Sequence, residues 1–229
     1  LPAFSLADVA FAVKERDILN GVTFDILKGS RTVLLGENGC GKTTLLRLIS
    51  RLEKPTRGVI LQNIDDKFGQ KSKQSKKWYK KVGVVYQNPD YQLFMQTVEK
   101  EIKFGAKSDE YADEIAEKFG IKHLYARHPQ SLSEGQKRRV SIAAVVATDP
   151  EVLILDEPTV GQDYKGLCEM VEVLNKLHEE AHNTMITVTH DKRCAAALCD
   201  KSVWIKNGKT YKTGGKELVD EFFIQIGVN

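Results

Sequence analysis

One stretch constrains this 229-residue chain more than any other: Gly36-Glu37-Asn38-Gly39-Cys40-Gly41-Lys42-Thr43-Thr44. Glycine forfeits more chain entropy on ordering than any other residue, so three within six positions are placed where the backbone needs them. An apolar run, Thr32-Val33-Leu34-Leu35, precedes the glycines, and a helical pattern over Thr43–Arg51 follows. The spacing is G-x-x-x-x-G-K-[ST], with Gly36, Gly41, Lys42 and Thr43 at the defined positions. A tight glycine turn between strand and helix lets successive N–H groups point at phosphate oxygens, and the helix adds its positive N-terminus to the same anion. Asn38, Gly39, Cys40, Gly41, Lys42, Thr43 and Thr44 are therefore expected to hold a nucleotide. Lys42 would bridge the β- and γ-phosphates, the Thr43 hydroxyl would ligate Mg²⁺, and Thr44 would reach the α-phosphate.

The remaining pattern suits that loop. Strand-like runs recur at Arg31–Leu35, Lys81–Tyr86, Glu151–Leu155 and Thr184–Thr189, with helical patterns such as Leu167–Glu180 between them. Strand and helix in alternation predict a parallel sheet with helices on both faces. The fold class is α/β, a P-loop nucleotide-binding core. Phe4 to Ile26 has short alternating segments with an Asn20-Gly21 turn, which predicts an antiparallel β layer. Residues 96–148 are helix-rich and form an expected inserted lobe, with Asp109–Phe119 amphipathic and a helix over Lys137–Ala147. Asn207-Gly208 predicts a late hairpin, and 216–229 a terminal helix. The expected organisation is one domain, with 1–95 and 149–215 as core and β layer, 96–148 as the helical part, and 216–229 as the end.

Composition excludes several classes. The longest apolar runs, Ile142–Ala147 and Cys194–Cys199, are six residues each, against roughly 20 for a membrane span. Leu1-Pro2-Ala3-Phe4 lacks a basic lead and a long apolar stretch, so no signal peptide is expected. A net charge of +3 is too small to argue for nucleic acid. Cys40, Cys168, Cys194 and Cys199 show neither a CxxC pair nor zinc spacing and are expected as reduced thiols. Cys40, close to a helix N-terminus, is expected to have a lowered thiol pKa and to block ATP binding when alkylated. Lys67–Lys81 carries seven lysines and no acid. It fits a lipid or nucleic-acid patch, or more simply a solvated loop or a strand edge guarded by lysine.

A phosphate loop alone leaves GTPases, kinases and motor ATPases open. Val152-Leu153-Ile154-Leu155 ends in Asp156 and Glu157, where one carboxylate can hold Mg²⁺ and the next can polarise a water aimed at the γ-phosphate. His190, beyond the strand Ile186-Thr187-Val188-Thr189, and Gln87, after Val82–Tyr86, close two further strands at the end where such sheets bind ligands. His190 is expected at the γ-phosphate, and Gln87 on Mg²⁺ or the attacking water. A second anion site is predicted where Ser133, Gly135 and Gln136 open a helix. One chain cannot bring both sites to one nucleotide if the helical lobe holds them apart. Two chains head to tail can, with ATP sandwiched between one phosphate loop and the other's serine turn.

Together these residues resemble the ATP-binding-cassette ATPases over essentially the whole chain. The resemblance rests on the phosphate loop at 36–43, Gln87, Leu132-Ser133-Glu134-Gly135-Gln136, the strand at 152–157, a loop ending at Asp163, and His190. It implies ATP and Mg²⁺ as ligands and a nucleotide-dependent dimer. Gln87-Asn88-Pro89-Asp90-Tyr91-Gln92-Leu93-Phe94, Thr97-Val98-Glu99, Phe104-Gly105 and the 132–139 and 158–163 stretches resemble the energy-coupling-factor branch. That branch implies a second, usually different, ATPase chain, a membrane partner docking near 87–94, a place at the cytoplasmic membrane face, and uptake of a vitamin or metal ion. Three positions depart from the family. Val13 stands where an adenine-stacking aromatic is expected, with Phe11 as a substitute; Glu134 replaces a glycine; and Gln162 replaces the leucine before Asp163. The acid at 134 implies that the site borrowing this turn is the weaker of the pair. The rival readings are a soluble cassette acting on DNA or ribosomes, against which the absence of a coiled coil or second cassette counts, and a non-hydrolysing ATP-gated regulator, against which Glu157 and His190 count. No Asn-Lys-x-Asp guanine motif is present.

Overall fold

The computed structural model describes residues 1–14, 16–64 and 78–227. In chain order the elements are β1 (Pro2–Val13), β2 (Arg16–Leu27), β3 (Arg31–Leu35), α1 (Lys42–Ile49), β4 (Arg57–Gln62), α2 (Trp78–Lys81), β5 (Val82–Val85), α3 (Val98–Lys103), α4 (Asp109–Lys118), α5 (Glu134–Val146), β6 (Val152–Asp156), α6 (Tyr164–Ala181), β7 (Thr184–Val188), α7 (Lys192–Ala197), β8 (Lys201–Lys206), β9 (Lys209–Gly214) and α8 (Lys216–Gln225). Single 3₁₀ turns lie at Pro89–Tyr91, Lys122–Leu124 and Pro129–Ser131.

A six-stranded sheet runs in the order β5-β6-β7-β3-β8-β9, parallel except for β9. Its central strands β6 and β7 are buried at every position because both faces of the sheet are covered. In β6, Val152 and Ile154 pack on one side with α1 and the N-terminal strands, while Leu153 and Leu155 face α3, α4, α5 and α6. In β3, Val33 and Leu35 face α7 and α8, and Leu34 faces α1. The buried stripe of α6, Leu167, Met170, Val171, Leu174 and Leu177, has the three-and-four spacing that brings one helix face to a sheet.

A separate antiparallel sheet, β2-β1-β4, lies over α1. The antiparallel layer is as expected, but its turn is not at Asn20-Gly21. Those residues lie inside β2, where Val9 pairs with Val22 and Ala10 with Asn20, leaving Gly21 as a bulge at φ 96°. The Asn20 amide leaves the ladder and donates to the Gly208 carbonyl at 2.7 Å. The bulge therefore seats β2 on the β8–β9 hairpin, which does turn at Asn207-Gly208, both at positive φ.

Polar side chains cap the starts of three helices that matter to the site and its helical arm. Ser108 caps α4, Ser133 caps α5 and Asp163 caps α6. The last two start three residues earlier than the sequence pattern suggests. The terminal helix stops at Gln225, short of 229. Of the lysine-rich segment, only Trp78–Lys81 fall within the described residues. Trp78 is buried, with the Arg51 guanidinium 4.6 Å above its ring, and Lys81 pairs with Glu151 at 2.8 Å. The reading of 67–77 lies outside the described residues. Among these residues no helix is long and apolar enough to cross a membrane.

Candidate functional site

The carboxyl ends of β3, β6 and β7 lie side by side, so the loops that follow them share one crevice. The glycine loop leaves β3 and enters α1 through Gly41, whose φ of 105° suits no residue with a Cβ; a Cβ there would lie 2.5 Å from Leu19 Cδ2. Lys42, 6% exposed, turns back over the loop, and its Nζ donates to the Gly36 carbonyl at 2.6 Å and the Glu37 carbonyl at 3.0 Å. Two of the ammonium's three protons are thus satisfied within the loop, which fixes the charge at its centre.

Beside it β6 ends in Asp156, and Glu157 follows at φ 55° with its amide donating to the Val188 carbonyl at 2.8 Å. A non-glycine residue at positive φ is strained and persists where its surroundings hold it. Glu157 is 4% exposed. Its Oε2 accepts from the His190 amide at 3.2 Å, while Oε1 has no protein partner and lies 3.5 Å from His190 Nε2. Burial pushes the Glu157 carboxyl up. Burial and the Lys42 charge hold His190 below its usual range, so the imidazole is neutral at neutral pH and its contact with Glu157 is not an ion pair.

A cavity of about 370 Å³ is lined by Asn38, Gly39, Gly41, Lys42, Thr43, Thr44, Gln87, Asp156, Glu157 and His190. Every expected phosphate-loop and γ-phosphate residue except Cys40 is brought to it. Cys40 lies on the other side of the loop, lining a neighbouring hollow with Trp204 and Asn207. Its Sγ packs against the core, in the space a Cβ at Gly36 would claim. Burial consequently pushes the Cys40 thiol up, outweighing the Lys42 charge that pulls it down. This corrects the expectation of a lowered pKa: the thiol turns toward apolar packing, not into the helix field. Cys40 should alkylate about tenfold more slowly than Cys168, which is exposed on α6. Peptide mapping after timed N-ethylmaleimide treatment checks this, and equal rates would contradict it.

Sequence reasoning missed Arg16, Ile18 and Val188, which complete the lining. Phe11 is half-buried against the core, so Arg16 and Ile18, rather than Phe11, face the cavity mouth. Both lie in the strand that the misplaced Asn20-Gly21 turn obscured.

The donor set suits a hard divalent cation. The Thr43 hydroxyl, the Gln87 amide and the Asp156 carboxylate share the cavity with an orphaned carboxylate oxygen, and all can offer oxygen. Among the described residues no group of three His, Cys, Asp or Glu is placed to hold a metal ion by itself. Burial, then the Glu157 charge, pushes Asp156 up to about 6 from an ordinary 3.8. Between those values the folded chain binds a proton that the unfolded chain does not, so stability falls as pH rises through this window. Asp156→Asn should stabilise the nucleotide-free chain at neutral pH by on the order of 2 kcal/mol and show no advantage near pH 4. Thermal unfolding across that range tests this; parallel curves for the two proteins would contradict it.

Ser133, Gly135, Gln136 and Asp163 are absent from the cavity. Ser133 is the exposed N-cap of α5. Its oxygen accepts from the Gln136 amide at 3.3 Å while Gln136 Oε1 accepts from the Ser133 amide at 3.1 Å, leaving the hydroxyl proton free to be donated. A Cβ on Gly135 would lie 2.9 Å from the Gly161 carbonyl, and Gln162 Nε2 donates to the Gly135 carbonyl at 2.7 Å. The glutamine in place of leucine thus ties the turn at 160–163 to the serine turn. Asp163 caps α6 by accepting from the Gly166 amide at 2.7 Å. The Glu134 carboxylate turns to Lys137, 3.5 Å away.

A strand, a glycine loop holding a buried lysine over its own carbonyls, and two strand-end carboxylates in one crevice define a P-loop nucleotide-binding protein. Residues 19–160 match the ABC transporter family. The chain is 40% identical over 221 residues to the energy-coupling factor transporter ATP-binding protein EcfA2 of Enterococcus faecalis, covering 90% of this chain and 74% of that protein. It is 40% identical over 210 residues to EcfA2 of Bacillus subtilis, covering 87% and 76%. Among solved structures it superposes on cbiO1 of Clostridium perfringens, part of the ABC transporter complex cbiONQ, with a TM-score of 0.83 at 32% identity, covering 96% of this chain and 91% of that one. It also superposes on the dimeric ATP-binding cassette MJ0796 bound to ADP and Pi, with a TM-score of 0.80 at 26% identity, covering 93% and 98%. The chain therefore belongs to the ABC transporter family, as one of its ATP-hydrolysing cassettes.

Proposed function

We propose that this chain is the ATPase of an energy-coupling-factor importer, pairing with a second, different cassette at the cytoplasmic membrane face to power uptake of a vitamin or metal ion. The observation that carries the hydrolytic reading is Glu157, a buried carboxylate pushed up in pKa, with one oxygen lacking a hydrogen-bond partner, in the lining of the cavity that Lys42 charges. In that role Oε1 takes a proton from a water whose oxygen bonds the γ-phosphorus as the bond to the β-phosphate oxygen breaks. Neutral His190 orients the water or the γ-phosphate, and Gln87 stands at the cavity's edge to sense both. Thr43, Gln87 and Asp156 would hold Mg²⁺, which when bound neutralises charge on the β- and γ-phosphate oxygens. Arg16 offers a guanidinium plane on which adenine can stack in place of the missing aromatic. Ser133 and the α5 amides cap the partner's triphosphate.

The division into 1–95 with 149–215, 96–148 and 216–229 follows this work: a core that holds the triphosphate, a helical arm that carries the serine turn, and an end helix. The surface for the membrane partner is the 87–94 stretch, where Tyr91 is 82% and Phe94 67% exposed and Phe94 packs edge-on against Phe104 at 5.4 Å. A site on this chain's own phosphate loop keeps all its groups. The partner's site receives Glu134, whose charge Lys137 only partly offsets, and is the slower of the two. Co-purification from the native membrane, with ATP turnover assayed with and without Mg²⁺, tests the proposal. A partner set of one membrane chain and one further ATPase is expected. Recovery with nucleic acid or ribosomes, or a complex that turns over no ATP, would overturn it.

A further inference from the structure

Arg138 has been given no role of its own, yet at 2% exposure it is the most deeply buried charged side chain of the described residues. It projects from α5, five residues after Ser133, and crosses to the segment that follows β5. Its Nη1 donates to the Tyr86 carbonyl at 2.7 Å and its Nη2 to the adjacent Gln87 carbonyl. Gripping two consecutive carbonyls with one planar fork fixes the peptide between them, and with it the direction in which the Gln87 side chain leaves the backbone. The preceding residue adds a second tie, since Lys137 Nζ meets Asp90 at 2.8 Å.

The segment so gripped is stiff. The Gln92 side-chain amide pairs with the end of β5 and the residue after it, accepting from the Tyr86 amide at 3.0 Å and donating to the Val84 carbonyl at 2.7 Å. Buried Glu101 accepts from the Phe94 and Met95 amides at 2.9 and 2.7 Å. A rigid stretch held at one helix by a buried fork moves with that helix.

We propose that Arg138 is a positioning residue that bolts the Gln87–Phe94 segment to α5, so that the membrane-facing stretch, Gln87 and the serine turn shift as one body. This explains why a cation is buried where neutral side chains would cost less. Among the described residues the side-chain donor to both carbonyls is Arg138, whose guanidinium fork spans the two. The coupling rests on the importer reading, whereas the grip itself is a property of the isolated chain, and the experiment separates them.

Arg138→Lys keeps the charge and loses the fork. In the purified complex it should lower kcat for ATP about tenfold while KM and the isolated chain's ATP affinity stay within roughly threefold, a split that general loosening of the fold would not give. Hydrogen exchange on the isolated chain should show faster exchange for residues 86–95 than in wild type. Asp90→Ala, at an exposed position, should show a smaller loss in the same direction and serves if Arg138→Lys does not fold. Wild-type kcat and wild-type exchange in the variants would overturn the proposal. A wild-type complex without turnover would overturn the importer reading instead, and exchange would then decide the clasp alone.

Discussion

Glu157→Gln is expected to slow ATP hydrolysis about 10²–10⁴-fold, the usual worth of a positioned general base. ATP binding and ATP-driven pairing should persist. The amide is isosteric with the carboxylate, and its oxygen can still accept from the His190 amide, so the left-handed turn at 157 keeps its anchor. What is lost is the basicity of Oε1, an atom that makes no hydrogen bond within the protein and so has little structural duty to surrender. Single-turnover hydrolysis and gel filtration with Mg-ATP read the two halves separately. A variant that turns over normally would remove Glu157 from the chemistry. One that neither hydrolyses nor pairs would make its role structural.

Lys42→Ala should act one step earlier. The ammonium is buried at the centre of the loop and already spends two protons on the Gly36 and Glu37 carbonyls. Its removal deletes a charge-assisted contact to the triphosphate and frees two carbonyls to repel it, which should weaken ATP binding on the order of 10- to 100-fold. Lys42→Arg is a useful companion, since its larger fork cannot be seated over the same carbonyls without moving the loop. Equilibrium binding of ATP and ADP checks both. Unchanged affinity for ATP in Lys42→Ala would contradict the role of the loop.

Much of this site was legible in the sequence because its residues follow local rules. The phosphate loop, Asp156-Glu157 and His190 lie at strand ends, and parallel strands bring their carboxyl ends to one side whatever the detailed packing. The two Asn-Gly pairs show where local rules stop. Asn207-Gly208 is a turn because two short strands flank it. Asn20-Gly21 carries the same dipeptide and is a bulge, because β1 and β2 are twelve residues each and pair through it. The edge strand β4 was missed since Val59 and Leu61 remain exposed and its residues lack the alternation of a half-buried strand. Arg138 and Gln92 were illegible for another reason. Their partners are backbone carbonyls and amides of a different segment, which no side-chain pattern announces. Cys40 was misjudged because proximity to a helix start in sequence says nothing of which way the thiol turns.

The most direct test is a structure of the assembled Glu157→Gln protein with Mg-ATP trapped. The account predicts a nucleotide whose triphosphate lies along Lys42, Thr43 and Thr44 of one cassette, with the serine turn of the opposing cassette at its γ-phosphate, and this chain's Ser133 in the same relation to the nucleotide on its partner. A structure in which each triphosphate is enclosed by a single chain, with Ser133 facing solvent, would contradict it.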